Sequence, residues 1–267
     1  MIVLASDYVG FKIVEFLGGC REPVDFVGLD PGDRGGFNSA IERATLSRWP
    51  AAAVLAPADL ERADVLERLA GSRPRLGILA WWPSILKGRI LSIPSGGWLN
   101  LHPGFLPHNR GKNPNFWCLV DGTPCGVSLH YADPGVDTGD VVAQERLEVS
   151  WEDTGETAYL KARDLMVDLF VKRFDDVLAG RLPRLPQRGA TGSAHRSGQM
   201  EEASRIDLDR SCTARELFNI IRARMFPPHP TAFFNDRGRT YSVQIVIKRA
   251  GDGGAGPAKR RTGEADE

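Results

Sequence analysis

Cysteine is scarce and irregularly placed. Cys20, Cys118, Cys125 and Cys212 are the four in 267 residues, with no C-x-x-C pair and no metal-ligand rhythm. That pattern argues against a disulfide framework and a cysteine metal site, and it favours a reduced compartment. Long apolar runs are also lacking. No stretch approaches the roughly 18 to 20 residues of a membrane span, and the opening MIVLASDYVGFK lacks the basic start and long apolar core of a signal peptide. A soluble, cytoplasmic protein with no membrane partner is the expectation. Charge of one sign is missing too. Lys plus Arg and Asp plus Glu balance at 34 each, so no global field recruits nucleic acid or an anionic membrane. A nucleic-acid role would need a local basic patch, and the final segment (Lys248, Arg249, Lys259 to Arg261) is short and diluted by Gly, Asp and Glu.

What is present alternates. Short apolar runs at Ile2–Ala5, Phe26–Leu29, Ala51–Ala56, Leu76–Trp81 and Trp98–Leu101 read as buried strands. Helical candidates lie between and after them: Phe11–Leu17, Asn38–Leu46, Ala58–Ala70 and Asn113–Val120. The alternation predicts an α/β fold, a Rossmann-like mostly parallel sheet with helices on both faces. Two later strands, Gly126–Tyr131 and Val141–Val149, are expected to pair antiparallel around a turn at Asp137. Glu156–Leu178 carries apolar residues at helical spacing and stops at Gly180.

The chain therefore divides into a main α/β unit over 1–180, a Pro/Gly/Ser-rich linker or extended loop over 181–200 and a small C-terminal α+β unit over 201–250. In that unit Thr213–Arg224 reads as a helix, with Thr213 as cap and Glu216 at the capping-box position. Phe233–Ile247 reads as a hairpin turning at Asn235–Gly238. Residues 251–267 read as a disordered tail.

Chemistry concentrates in NLHPGFLPHNRGKNPNFW, Asn100 to Trp117, and PGVDTGD, Pro134 to Asp140. Asn100 and His102 lie two apart, so a strand points both to one face. Asp137 falls between Gly135 and Gly139, in an expected tight turn. In a doubly wound sheet, ligands bind outside the carboxyl ends of the strands, where this strand delivers both side chains before Pro103 ends pairing. An amide can donate to an oxyanion, a contact worth about 3 to 4 kcal/mol of barrier. An imidazole with an ordinary pKa of about 6.5 can move a proton, and a carboxylate can orient it or accept a proton through water. Taken singly, each residue equally fits a structural histidine or ordinary turn chemistry. As a set they point to acyl transfer.

The two segments together resemble the formyltransferases that use 10-formyltetrahydrofolate. The resemblance rests on Asn100-Leu101-His102, Leu106-Pro107-His108-Asn109-Arg110-Gly111 and Gly135-Val136-Asp137-Thr138-Gly139, and covers roughly residues 1–180. It implies that Asn100, His102 and Asp137 are catalytic. Gly104-Phe105 departs from the commoner Ser-Leu, with an expected effect only on local loop packing. The resemblance further implies a folate slot, with 10-formyltetrahydrofolate as formyl donor and no metal. Trp81, Trp82, Pro83 and Ile85 would line it, Asp133 and Gly135 would complete it and Asp140 would border it. Because the two Trp alternate on a strand, only one can face the slot.

Three branches of the family compete. Ser6-Asp7-Tyr8-Val9-Gly10-Phe11 lacks the glycine-dense nest that a lone phosphate prefers, which sets the glycinamide ribonucleotide branch aside. The methionyl-tRNA branch adds a basic barrel of about a hundred residues, whereas here a short, neutral segment gives little phosphate-driven affinity. Arg110–Trp117 and Ile206–Pro228 look most like the enzymes that formylate amino sugars on a nucleoside diphosphate.

That likeness implies a dTDP- or GDP-linked amino-dideoxy sugar as acceptor, in cell-surface glycan (O-antigen) biosynthesis, with no nucleic-acid partner and a homodimeric enzyme. Arg110, Gly111, Lys112 and Asn113 would bind the acceptor, with charge from Arg222 and Arg224 and stacking from Tyr8 or Phe226. A methionyl-tRNA formyltransferase-like enzyme and a formyltetrahydrofolate hydrolase are the alternatives.

Overall fold

Apolar runs flanked by turn residues fold as strands in the computed structural model, which describes residues 1–187, 189 and 191–250. The expected tail at 251–267 lies outside the described residues. In chain order the elements are β1 Ile2–Ala5, α1 Asp7–Gly19, β2 Phe26–Leu29, α2 Asn38–Arg48, β3 Ala53–Leu55, α3 Ala63–Gly71, β4 Gly77–Ala80, β5 Trp98–His102, β6 Arg110–Gly111, α4 Pro114–Val120, β7 Gly126–Tyr131, β8 Val141–Arg146 and α5 Gly155–Leu178. They continue with β9 Ala194–His195, α6 Gln199–Ala203, α7 Ala214–Ala223, β10 Ala232–Asp236 and β11 Arg239–Val243. The expected helix over Ala58–Ala70 is interrupted: a 3-10 turn at Pro57–Glu61 precedes α3.

Seven strands form one sheet in the order β3-β2-β1-β4-β5-β7-β8. The first five are parallel, and β7 and β8 join antiparallel. Strand order reverses between β1 and β4, the switch point where such sheets bind ligands. The pleat sorts side chains to two cores. Val3, Ala5, Ile78, Leu99 and Leu101 pack on α1 and α5, whereas Ile2, Leu4, Leu79 and Trp98 pack on Val65 and Leu69 of α3. Gly77 makes room for the Trp98 ring, which a Cβ there would strike.

The long helix α5 begins at a Thr154 cap and buries Ala158, Ala162, Met166, Phe170 and Phe174. Leu160, part of the apolar stripe, is left exposed. Phe170 and Phe174 meet the Phe16 edge at 6.0 and 5.4 Å. The capping box predicted at Thr213 and Glu216 forms, with reciprocal bonds of 3.2 and 2.7 Å. The β10–β11 hairpin turns where expected.

Two expectations need correction. Over 181–200 the described residues 181–187 and 191–196 run extended ahead of α6, but they are no free tether. They lie along the sheet unit as a strap: Leu185 exchanges backbone bonds with Val141, and β9 pairs in parallel with β6. His195 stacks on Trp117 at 3.8 Å and pairs with Asp121 at 3.0 Å.

Cysteine pairing is the second correction, because Cys118 and Cys125 form a disulfide, their Cα atoms 5.3 Å apart. Residue spacing hides it, since α4 ends in a turn that brings the start of β7 back beside the helix. Cys20 and Cys212 are free. Thiol titration of the unreduced, denatured protein should therefore find these two thiols, and finding all four would contradict the pairing. Cys118→Ser with Cys125→Ser should lower stability by about 2 kcal/mol, since the bridge closes a short loop, as read from denaturant midpoints.

Candidate active site

Strand β5 turns Trp98, Asn100 and His102 to one face, and its antiparallel neighbour β7 sets His130 opposite Asn100 and Ser128 opposite His102. The turn between β7 and β8 swings Asp137 over this row. Asp137 has a left-handed backbone, φ 51°, which Asp tolerates better than bulkier residues. The Asp133 carboxylate shapes the turn by accepting from Gly135 N–H (3.0 Å) and Thr138 Oγ1 (2.6 Å). Loop 103–113 closes the opposite side. Ser128 Oγ donates to the Gly104 carbonyl at 2.6 Å and accepts from Leu106 N–H at 3.1 Å.

The carboxylate of Asp137 is the hub. Oδ1 accepts from Asn100 Nδ2 at 3.1 Å and lies 3.4 Å from His130 Nε2. Oδ2 accepts from Gly111 N–H at 2.8 Å and lies 3.5 Å from His102 Nδ1. Burial pushes this carboxyl up, but His102, His130 and the Gly111 N–H more than reverse that and hold it well below the usual carboxylate range. It is ionised at neutral pH.

His102 is buried with its Nε2 3.0 Å from the Asn109 carbonyl, an acceptor that fixes Nε2 as the protonated nitrogen. Burial lowers its pKa more than Asp137 raises it, and His130 adds to the lowering. The ring is therefore neutral, with its Nδ1 lone pair toward the carboxylate. His130 Nδ1 faces the Tyr131 carbonyl at 3.0 Å, which leaves Nε2 to accept from the second Asn100 N–H at 2.9 Å.

Gly104 bears directly on this ring. A Cβ there would sit 2.6 Å from His102 Nε2, so the glycine affects the imidazole as well as loop packing.

The residues expected to line a folate slot lie just after β4 and in the 133–140 turn. Trp81 (φ 56°) and Trp82 do pack to opposite faces, Trp81 with the α1/α5 core and Trp82 with the α3 core. Trp81 lies 5.2 Å from the Tyr159 ring, and its indole N–H is buried without a partner. Such an orphan donor suits a ligand with a flat apolar body and acceptor atoms, and Ile85 four residues on is exposed. Pro83 gives its carbonyl to Lys112 Nζ at 3.1 Å. The Asp140 carbonyl accepts from Tyr131 N–H, and Gly139 has its Cα against the Tyr131 carbonyl, where no side chain fits.

The residues expected at the acceptor are held in several ways. Gly111 (φ 88°) supplies its N–H to Asp137, and Asn113 (φ 57°) opens α4 through its carbonyl. The Arg110 fork is taken up by Gln187. Tyr8 is covered by the Arg163 guanidinium at 3.9 Å. Phe226 meets Tyr159 at 5.2 Å, whose hydroxyl donates to Asp7 at 2.8 Å beside the switch point. Burial pushes the Tyr159 phenol up, and the Asp7 carboxylate adds to this.

Arg222 and Arg224 do not stand free for a ligand. Arg222 is buried and donates to the Ser150 and Asp153 carbonyls at 2.6 and 3.2 Å, and Arg224 pairs with Glu201 at 3.3 Å. Sequence reasoning missed His130 and Gln187. Its only available signal for His130 was the alternation of Ser128 and His130 on a strand. Among the described residues no group of three or more His, Cys, Asp or Glu side chains is arranged to hold a metal ion.

Residues 32–174 match the formyl transferase family, and residues 199–249 match the N-formyltransferase dimerization C-terminal domain. A methionyl-tRNA formyltransferase of Methylacidiphilum infernorum is 31% identical over 198 residues, which covers 73% of this chain and 59% of that protein. The chain thus spans about three fifths of the length of the curated relatives it matches.

In fold it is similar to a 4-N formyltransferase from Francisella tularensis, with a TM-score of 0.76, 23% identity and coverage of 93% of this chain and 98% of that one. It is also similar to an N-formyltransferase from Helicobacter canadensis solved with folinic acid and dTDP-3-aminofucose (TM-score 0.66, 16% identity, 89% and 84% covered). The family match takes in more than half of the sequence and contains all three signature residues: this chain belongs to the formyl transferase family.

Proposed function

We propose that the chain transfers a formyl group from 10-formyltetrahydrofolate to the amino group of a nucleotide-linked amino sugar. The observation that carries the chemistry is the ionised Asp137 carboxylate held among Asn100, His102, His130 and the Gly111 N–H. The donor supplies a formyl carbon already activated toward nucleophiles.

The chain's own residues handle protons and charge. A neutral amine forms the new N–C bond, and Asp137 accepts the proton it sheds. His102, with its Nδ1 lone pair 3.5 Å from Asp137, takes that proton up and becomes an imidazolium between the Asn109 carbonyl and the carboxylate. The positive ring and an Asn100 N–H released from His130 stabilise the oxyanion. When the C–N bond to the donor breaks, the proton is returned to the departing nitrogen, so atoms and charge balance.

The acceptor reading rests on the small C-terminal unit. Its capped helix and hairpin match the dimerization C-terminal domain of N-formyltransferases. The likeness to the Francisella 4-N formyltransferase runs almost end to end. Exposed Leu208, Tyr241 and Val246 on this unit offer apolar surface to a second copy of the chain. Lys112, Asn113 and the Tyr159–Phe226 aromatic pair are the groups offered to a sugar nucleotide, since Gln187 takes up the Arg110 fork and Asp137 the Gly111 N–H. The sequence identity to methionyl-tRNA formyltransferases favours tRNA as the second reading, and salt-sensitive binding to initiator tRNA would establish it in place of the sugar.

Formyl transfer to dTDP- and GDP-linked amino sugars tests the proposal. Asn100→Ala and His102→Ala should each lower kcat by about 10² to 10³-fold, and Asp137→Asn by about 10² to 10⁴-fold, with the thermal melt retained. Formate release at the same rate with and without acceptor would instead identify a hydrolase.

Stability should track the same residues. The pKa of His102 is held below its ordinary 6.5, so the unfolded chain binds more protons near pH 6. Its contribution is complete above that value and is lost as pH falls through it. Asp137, held below 3.8, adds a second loss of the same sign at lower pH. Urea midpoints should drop between pH 7 and 5 in the wild type and less in His102→Gln. Equal slopes would contradict the buried neutral ring.

A further inference from the structure

The strap, at Gln187, brings an uncharged side chain into contact with both halves of the signature. Gln187 is 7% exposed and uses its amide fully. Its Nε2 donates to the Asp137 carbonyl at 3.0 Å and the Gly139 carbonyl at 2.7 Å. Its Oε1 accepts from Arg110 Nε and Nη2 at 3.0 and 2.8 Å. Only an amide can do this, because it presents two donors to two carbonyls while offering an acceptor to a guanidinium. A carboxylate would face the carbonyls with an acceptor, and an apolar side chain would leave all four groups unpaired in a buried place.

We propose that Gln187 is a positioning residue: it clamps the Asp137 turn to the Arg110–Gly111 strand and thereby keeps the Asp137 carboxylate on the Gly111 N–H and against His102. This rests on the reading of Asp137 as the group that handles the amine proton. Apart from the Asp137 carboxylate's own bonds to Asn100 and the Gly111 N–H, the other bonds of the turn run within it or to β7, through Asp133 to Gly135 and Thr138 and through Tyr131 to Asp140. They shape the turn without tying its backbone to strand β6. Gln187 supplies that tie at the backbone, next to a residue whose φ of 51° is unfavourable for most side chains.

The strap is itself well anchored on both sides of Gln187. Leu185 exchanges backbone bonds with Val141. Beyond it, Arg110 N–H donates to the Ser193 carbonyl, Lys112 N–H to the His195 carbonyl and Asn109 N–H to Ser193 Oγ. Gly192 lies against the Pro107 carbonyl with no room for a side chain. Gln187 is therefore delivered to its place by a segment laced to the loop that holds His102. It also gives the Arg110 fork a role within the protein, acting on Asp137 through one amide.

The test uses Gln187→Leu and Gln187→Glu in the full chain, with two readouts. Amide hydrogen exchange at Gly111 needs no activity. In Gln187→Leu it should speed by about tenfold, the effect of losing one or two local hydrogen bonds, while β1 and β4 amides keep their protection. Where formyl transfer is measured, kcat should fall by about 10 to 100-fold with KM for the folate donor near the wild-type value. The acid limb of kcat should move to higher pH, because the carboxyl loses the N–H that holds it low among His102, His130 and Asn100.

Should Gln187→Leu not fold, Gln187→Glu keeps the volume and the Arg110 partner, and it should show the same local loss at Gly111. Unchanged Gly111 exchange in either folded variant overturns the proposal. So does uniform loss of protection across the sheet with no shift in the pH profile. A wild type without transferase activity would defeat the functional reading, yet Gly111 exchange would still decide the role of Gln187.

Discussion

A buried carboxylate is costly unless donors surround it, and the site is organised around that requirement. Asp137 is ionised because the Asn100 amide and the Gly111 N–H donate to it, with the imidazoles of His102 and His130 beside it. These groups come from three parts of the chain: Asn100 and His102 from the parallel strand β5, Gly111 from β6 and His130 from the antiparallel strand β7. The carboxylate therefore links local chemistry to the sheet. Removing it would leave the Gly111 N–H and one Asn100 N–H without their acceptor.

The sheet makes this convergence possible. Five parallel strands bring their carboxyl ends to one edge, and reversal of order between β1 and β4 opens a crevice there. Asp7 and Trp81, just past the ends of those two strands, meet Tyr159 at this opening. The antiparallel addition of β7 places His130 opposite Asn100. The turn from β7 to β8 then carries Asp137 back over the row. The Asn100, His102 and His130 side chains sit on the face opposite the α1/α5 core, beyond the part filled by α3.

Much of this was legible in the residues. Runs of Ile, Val and Leu at the right lengths marked the strands, and the two-residue spacing of Asn100 and His102 fixed their common face. Glycines around Asp137 marked its turn, and a Thr213/Glu216 box marked a helix start. What escaped depended on partners distant in sequence. His130 is polar on a strand, and only the register with Asn100 reveals it as a member of the site. Gln187 lies in a segment without periodicity and acts on backbone carbonyls, which leave no mark in a sequence. Arg222 read as a free cation, but its partners are the Ser150 and Asp153 carbonyls. The Cys118–Cys125 bridge forms because a helix end folds back on the next strand, which spacing alone does not show.

The most direct measurement of the account is a carbon-13 NMR titration of the Asp137 carboxyl in the ligand-free protein, assigned with Asp137→Asn. The account predicts that it stays ionised well below 3.8, the ordinary value for Asp, until the fold itself is lost. A carboxyl that takes up its proton at or above that value in the folded protein would contradict it. Asp137 would then not be the anionic hub on which the proposed chemistry rests.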